Sequence, residues 1–293
     1  MAENSLIAAA PHQPVSAPHS RASTLSVGAW GLRSAAALYL LLLVGVPILV
    51  VIGKGISPGL AVLWDSVSNP VAVSAIWLTV STALVMTVIN TIFGTLTAYV
   101  LVRYRFPGRS VFNVIIDLPF AIPTLVTGVM LVLLYGPQSV IGSFVEDATG
   151  QRIIFETPGI VLALLFISYP FVIRSIQPVL VGLNVAQEEA AVTLGASSWE
   201  TFRRVIFPAI RPAVISGALL SFARALGEFG SIIIVAGNIP MRSQTATTYI
   251  YTQVEAGDMP AASGISLVLI AIALVATIMV DVLLRKRRSD ARD

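Results

Sequence analysis

Residues 184–212 read NVAQEEAAVTLGASSWETFRRVIFPAIRP. The stretch is too polar to cross a bilayer and too regular for an irregular loop. From Val185 to Leu194 the run of Ala186, Glu188, Glu189, Ala190 and Ala191 predicts a short helix. Gly195 offers a break where a side chain would hinder the turn. Ser197 followed by Glu200 has the spacing of a capping box, which predicts a second helix running to about Ile206 and ending ahead of Pro208. Two short helices joined at a glycine make a compact knob. Its small alanines allow close seating on another surface, and Glu188 and Glu189 offer charge to basic groups there.

The flanking sequence says what the knob is attached to. Of 293 residues, 56% are hydrophobic and 11% charged, with a mean hydropathy of +0.87. A soluble domain carries about 25% charged residues, so the solvent for most of this surface is lipid. A spanning helix needs about 20 mostly apolar residues. The runs at residues 35–53, 72–101, 111–135, 158–179, 212–236 and 262–284 predict six such helices, and an all-α membrane protein. Short loops rich in Arg and Lys stay in the cytoplasm. Fourteen basic residues fall on the side of the knob and both termini, against Lys54, Arg152 and Arg242 on the other. Both termini are therefore expected in the cytoplasm. Residues 1–30, rich in Ala, Pro and Ser, read as a disordered cytoplasmic tail, 31–285 as the transmembrane domain, and 286–293 as a basic cytoplasmic tail.

Several chemistries are excluded by inspection. There is no cysteine, and the two histidines, His12 and His19, lie in the tail, so a thiolate or histidine metal site in the membrane is not expected. No Gly-x4-Gly-Lys-Ser/Thr phosphate loop occurs, so nucleotide must bind on another chain. Nothing points to nucleic acid or to a resident cofactor, and no catalytic residue is nominated.

Polar residues inside the apolar runs are costly and mark candidate sites. Arg224 and Glu228 stand one turn apart in the fifth run, as a structural ion pair, a gate, or a cation lining an anion path. Pro119 and Pro123 remove backbone donors from the third run and predict a kink or break there. Asn90 in the second run reads as an interhelical hydrogen bond. The segment from Gly237 to Pro260 is polar and too long for a bare turn.

Glu189-Ala190-Ala191, three residues, Gly195, nine residues, then Val205-Ile206-Phe207-Pro208 resembles the EAA loop of binding-protein-dependent ABC importers. Val205 and Phe207 replace the usual Ile and Leu. Tyr104-Arg105-Phe106-Pro107-Gly108-Arg109, Leu118-Pro119-Phe120-Ala121-Ile122-Pro123 and Arg224-Ala225-Leu226-Gly227-Glu228-Phe229-Gly230 look like signatures of sulfate and molybdate permease subunits, the CysT type of sulfate/thiosulfate importers foremost. The similarity covers about residues 35–285. It implies a MetI-like helical bundle in a bacterial cytoplasmic membrane and transport by alternating access, without enzymatic activity of its own. It also implies two separate ATPase subunits, a sister permease in a heterodimer or a second copy in a homodimer, and an extracytoplasmic sulfate-binding protein. Glu188, Glu189, Ala190, Ala191, Gly195 and Pro208 become the expected ATPase-coupling residues. A molybdate or tungstate permease is the alternative substrate reading. An ATP-independent secondary transporter predicts intramembrane carboxylates for ion coupling, of which Glu228 is the sole clear candidate.

Overall fold

The computed structural model describes residues 27–290, all of its regular elements being helical. The tail expected at the N-terminus falls largely outside the described residues. Contacts divide the chain into two units, residues 1–49 and 50–293. Helix α1 (Val27–Leu40) runs through a π-helical turn, Leu41–Gly45, into α2 (Val46–Ile56), whose residues from Val50 on belong to the second unit. The apolar stretch Trp30–Ile56 is 27 residues long, enough to span a bilayer.

The second unit continues with α3 (Leu60–Ser68) and α4 (Pro70–Arg103). Asn69 caps α4 by accepting from the Val71 N–H at 2.9 Å, and Pro70 occupies a first-turn position where no donor is needed. The 34 residues of α4 exceed the hydrocarbon thickness at 1.5 Å each. Its buried face is a ladder of small residues, among them Ala72, Ala75, Thr79, Ala83, Gly94 and Ala98. Lipid tails supply little drive for helices to associate, so close backbone approach has to do it.

After Gly108, at φ 86°, come α5 (Arg109–Ala121) and α6 (Thr124–Tyr135), then α7 (Val140–Thr149) and α8 (Thr157–Gly182). The knob follows, as α9 (Val185–Thr193) and α10 (Ser198–Thr201), and a second π turn, Phe202–Ile206, leads into α11 (Phe207–Leu226). The chain closes with α12 (Gly230–Val235), α13 (Ala246–Glu255) and α14 (Met259–Asp290). Helices α4, α8 and α11 form the centre. Val172 of α8 sits between two glycines: a Cβ on Gly94 of α4 would lie 2.9 Å from its Cγ1, and one on Gly217 of α11 would lie 3.0 Å from its Cα. One buried apolar cluster, with Ile173, Ile176, Ile206 and Ile210, fills the knob end, and a second, with Met86, Leu164, Phe222 and Ile232, lies further along.

One expected span is corrected, and another breaks where its prolines predict. Among the described residues five single helices are long and apolar enough to cross, and the third expected run is a pair, α5 and α6, bent by 112°. The break falls at Ile122-Pro123, because Pro123 lacks the N–H that would continue the helix and holds Ile122 extended at ψ 126°. Pro119 stays inside α5. The fifth run does not continue to residue 236: α11 stops at Leu226, Gly227-Glu228-Phe229 is non-helical, and α12 turns away to pack on α6. The apolar composition persists through the break, so hydropathy alone does not reveal it.

Candidate functional site

The knob is built by local signals. Asn184 caps α9 by accepting from the Ala186 N–H at 3.0 Å. At the other end Gly195 takes φ 86°, letting the N–H groups of Gly195 and Ala196 reach back to Val192 and Ala191 carbonyls at 2.9 and 3.0 Å. Ser197 and Glu200 close the capping box. The expectation of a second helix ending before Pro208 is corrected: residues 198–226 run as one rod of 29 residues. The π turn explains it. The Phe207 N–H bonds five residues back to Phe202, and Pro208 then sits in the first turn of α11, where its missing donor costs least.

Leu194, 88% exposed, and Trp199, 66% exposed, project from the knob. Glu189 is exposed as well. Glu188 is ion-paired with Arg103, the last residue of α4. Ala190 and Ala191 lie on α9, which has no buried residue.

Arg224 and Glu228 meet, but not as neighbours on a helix face. The α11 helix ends between them, and the Glu228 carboxylate lies in the break, 2% exposed. One carboxylate oxygen lies 2.7 Å from Arg224 Nη1 in an ion pair. The other accepts from the backbone N–H and hydroxyl of Ser231 at 2.9 and 3.0 Å. The Thr247 hydroxyl donates to the Glu228 carbonyl at 2.7 Å, pinning the break to α13. Both Glu228 carboxylate oxygens thereby have partners. Arg224 is less engaged: its side chain is 31% exposed, and the ion pair takes up one nitrogen of a guanidinium with five donors.

A second arginine behaves oppositely. Arg174 of α8 donates Nε to Asp117 at 2.7 Å and Nη2 to the other Asp117 oxygen. It also donates Nη1 to Asn113 Oδ1 at 3.2 Å and to Gln177, and Nη2 to the Asn113 carbonyl at 3.0 Å. This fork ties α5 to α8. Sequence reasoning passed over it, although Asn113 and Asp117 at i, i+4, and Arg174 and Gln177 at i, i+3, are polar pairs on otherwise apolar helices.

In the angle between α5 and α6, beside α4 and α8, lies a cavity of about 590 Å³. Phe93, Ile116, Pro119, Leu131 and Tyr169 line it, with Asn90 as its amide. The Asn90 amide is spent on the Leu165 carbonyl at 3.3 Å, the interhelical bond expected of it. Such walls do not suit a multiply charged anion. The segment after α12 is less solvated than its composition predicts: Ser243, Gln244, Thr245 and Thr248 are buried, while Arg242 pairs with Glu156.

A long-span bundle with a capped polar knob between its fourth and fifth spans defines a class of membrane permease. Residues 90–289 match the family of binding-protein-dependent transport system inner membrane components, and the chain belongs to that family. Within it, the chain is 42% identical over 236 residues to a probable sulfate transport system permease protein cysT of Chlorokybus atmophyticus, covering 80% of this chain and 82% of that one. It is 46% identical to the Chlorella vulgaris counterpart (73% and 80% covered) and 40% identical to the sulfate transport system permease protein CysT of Escherichia coli K12 (75% and 79%). The fold matches a bacterial ABC transporter that imports alginate, with TM-score 0.71 at 18% identity over 88% of this chain and 94% of that one. It also matches the MetNI methionine ABC transporter, with TM-score 0.56 at 17% identity over 73% and 94%.

Proposed function

We propose that this chain is the pore-forming permease subunit of a sulfate/thiosulfate ABC importer, driven by a separate ATPase. The observation that carries the reading is identity of 40–46% to sulfate transport permeases over about three quarters of the chain or more. That the sequence carries no phosphate loop supports placing ATP hydrolysis on another subunit. The knob, with Glu189, Ala190, Ala191 and Gly195, is the ATPase-facing coupling element, Pro208 lets its second limb run on into α11, and both termini share its cytoplasmic side. The opposite end, with α7 and α13, receives an extracytoplasmic sulfate-binding protein, and a sister permease completes the pore.

The mechanism is alternating access. ATP-driven closure of the ATPases moves the knobs, and the unbroken rod carries that displacement to Arg224. Arg224, held by Glu228 yet with donors to spare, meets the dianion as it passes the gate formed by the two breaks at Pro123 and Gly227. Two donors and a charge on a planar fork suit a tetrahedral oxyanion.

The test is ATP-dependent uptake of labelled sulfate into proteoliposomes holding this chain, its sister permease, the ATPase and the binding protein. Uptake that requires every component supports the proposal. Molybdate uptake with no sulfate uptake overturns the substrate, and uptake by this chain without ATPase overturns the mechanism.

A further inference from the structure

The last turn of α4 touches both limbs of the knob. Arg103 pairs with Glu188 in the first turn of α9, each side chain 15% exposed. Tyr99, one turn earlier, stands edge-on to Phe202 with ring centroids 5.4 Å apart, and Phe202 stacks on Trp199 at 5.7 Å. The two contacts differ in kind. The second limb is continuous with α11 and is held by the buried Ile206 and Ile210. The first limb, α9, has no buried residue, so apolar packing does not fix it. Among the described residues, Arg103–Glu188 is the side-chain bond that joins α9 to a spanning helix.

Both charges sit where helix dipoles favour them, the cation at the C-terminus of α4 and the anion at the N-terminus of α9. At 15% exposure the pair is screened much less than a surface pair. Arg103 Nε, on the same guanidinium edge as the Nη2 that meets Glu188, is buried without an acceptor, so a single donor of that edge holds α9. Beside it, a groove of about 490 Å³ lies between α9 and the second limb, lined by Tyr99, Glu188, Glu189, Val192 and Thr201.

We infer that Arg103 and Glu188 are positioning residues forming a strut that delivers the displacement of α9 to α4, leaving Glu189 as the acid that faces the ATPase. The inference rests on the reading of the knob as the coupling element. In that reading the knob drives two spans by two routes: α11 through a continuous backbone, and α4 through one ion pair.

The experiment measures sulfate taken up per ATP hydrolysed by the reconstituted full complex. Arg103→Gln and Glu188→Gln should each lower that ratio about tenfold, the weight of one charge-assisted hydrogen bond. The swap Arg103→Glu with Glu188→Arg should recover most of it, falling short of wild type because both charges then oppose their helix ends. Loss caused by Glu189→Gln should not be repaired by any change at Arg103. An unchanged ratio in the single variants, or a swap that inserts and assembles but stays uncoupled, overturns the strut alone. If the single variants fail to insert, the swap carries the test by the same criterion. Sulfate uptake by the wild-type chain without ATPase overturns the knob reading and the strut together.

Discussion

Arg174 and Arg224 show how one side chain serves two ends, depending on how its donors are spent. Arg174 forks onto Asp117 and Asn113 and has nothing left to offer a solute. Arg174→Lys keeps the charge but cannot reproduce the fork, so it should cost about 1.5–3 kcal/mol, the value of hydrogen bonds to a charged group, and lower the unfolding temperature in detergent. Arg224→Lys still reaches Glu228 and should leave that temperature near wild type while raising the KM for sulfate uptake. An equal loss of stability in both would place Arg224 with the structural pairs. Gly195 belongs to the same scale. No atom lies within 4 Å of a Cβ built there, so a side chain meets space, and the strain comes from φ 86° alone. Gly195→Val should unravel the link between the limbs and reduce uptake, whereas Gly195→Asn, a residue that tolerates the left-handed region, should retain most of it. Measured uptake of the two variants separates backbone strain from crowding. These local features are legible in the sequence because caps and turns depend on a few adjacent residues. Arg103–Glu188 is not, since its partners are 85 residues apart and only packing of α4 beside the knob brings them together.

Among elements, the two breaks are joined. A Cβ on Gly230, the first residue of α12, would lie 2.1 Å from Thr124 Oγ1 and 3.3 Å from the Leu125 nitrogen, at the start of α6. One on Gly128 would lie 2.9 Å from the Ser231 carbonyl. Helices α6 and α12 therefore meet backbone to backbone through glycine. Gly230→Ala should cost about 1–3 kcal/mol by overpacking, and Thr124→Ala in the same chain should return only part of it, because the Leu125 nitrogen remains. Thermal unfolding of the two variants in detergent checks this. Pro123 announces its break in the sequence. The break at Gly227 is written less plainly, in two glycines flanking a carboxylate, and Ile232, Ile233, Ile234 and Val235 disguise it by keeping the run apolar. The coupling of the breaks is invisible at the level of a single segment, since it depends on α12 folding back on α6.

For the molecule as a whole, sequence charge supplies a sidedness that helices alone do not, and the chain is suited to testing it, having no cysteine. Leu194→Cys, at an 88% exposed position on the knob, should react with a membrane-impermeant maleimide only in inside-out vesicles. Val140→Cys, 87% exposed at the start of α7, should react only in right-side-out ones. Reaction of both from one side would refute the proposed topology. The rod of residues 198–226 carries a further consequence, one of rotational phase. Each helical residue turns the chain by about 100°, so the azimuth of Arg224 relative to Trp199 is fixed by the number of residues between them. A single alanine inserted after Leu219 leaves every side chain of the knob and the break in place chemically, yet swings the knob about 100° out of alignment with the break. Length, as much as residue identity, is part of what this span encodes.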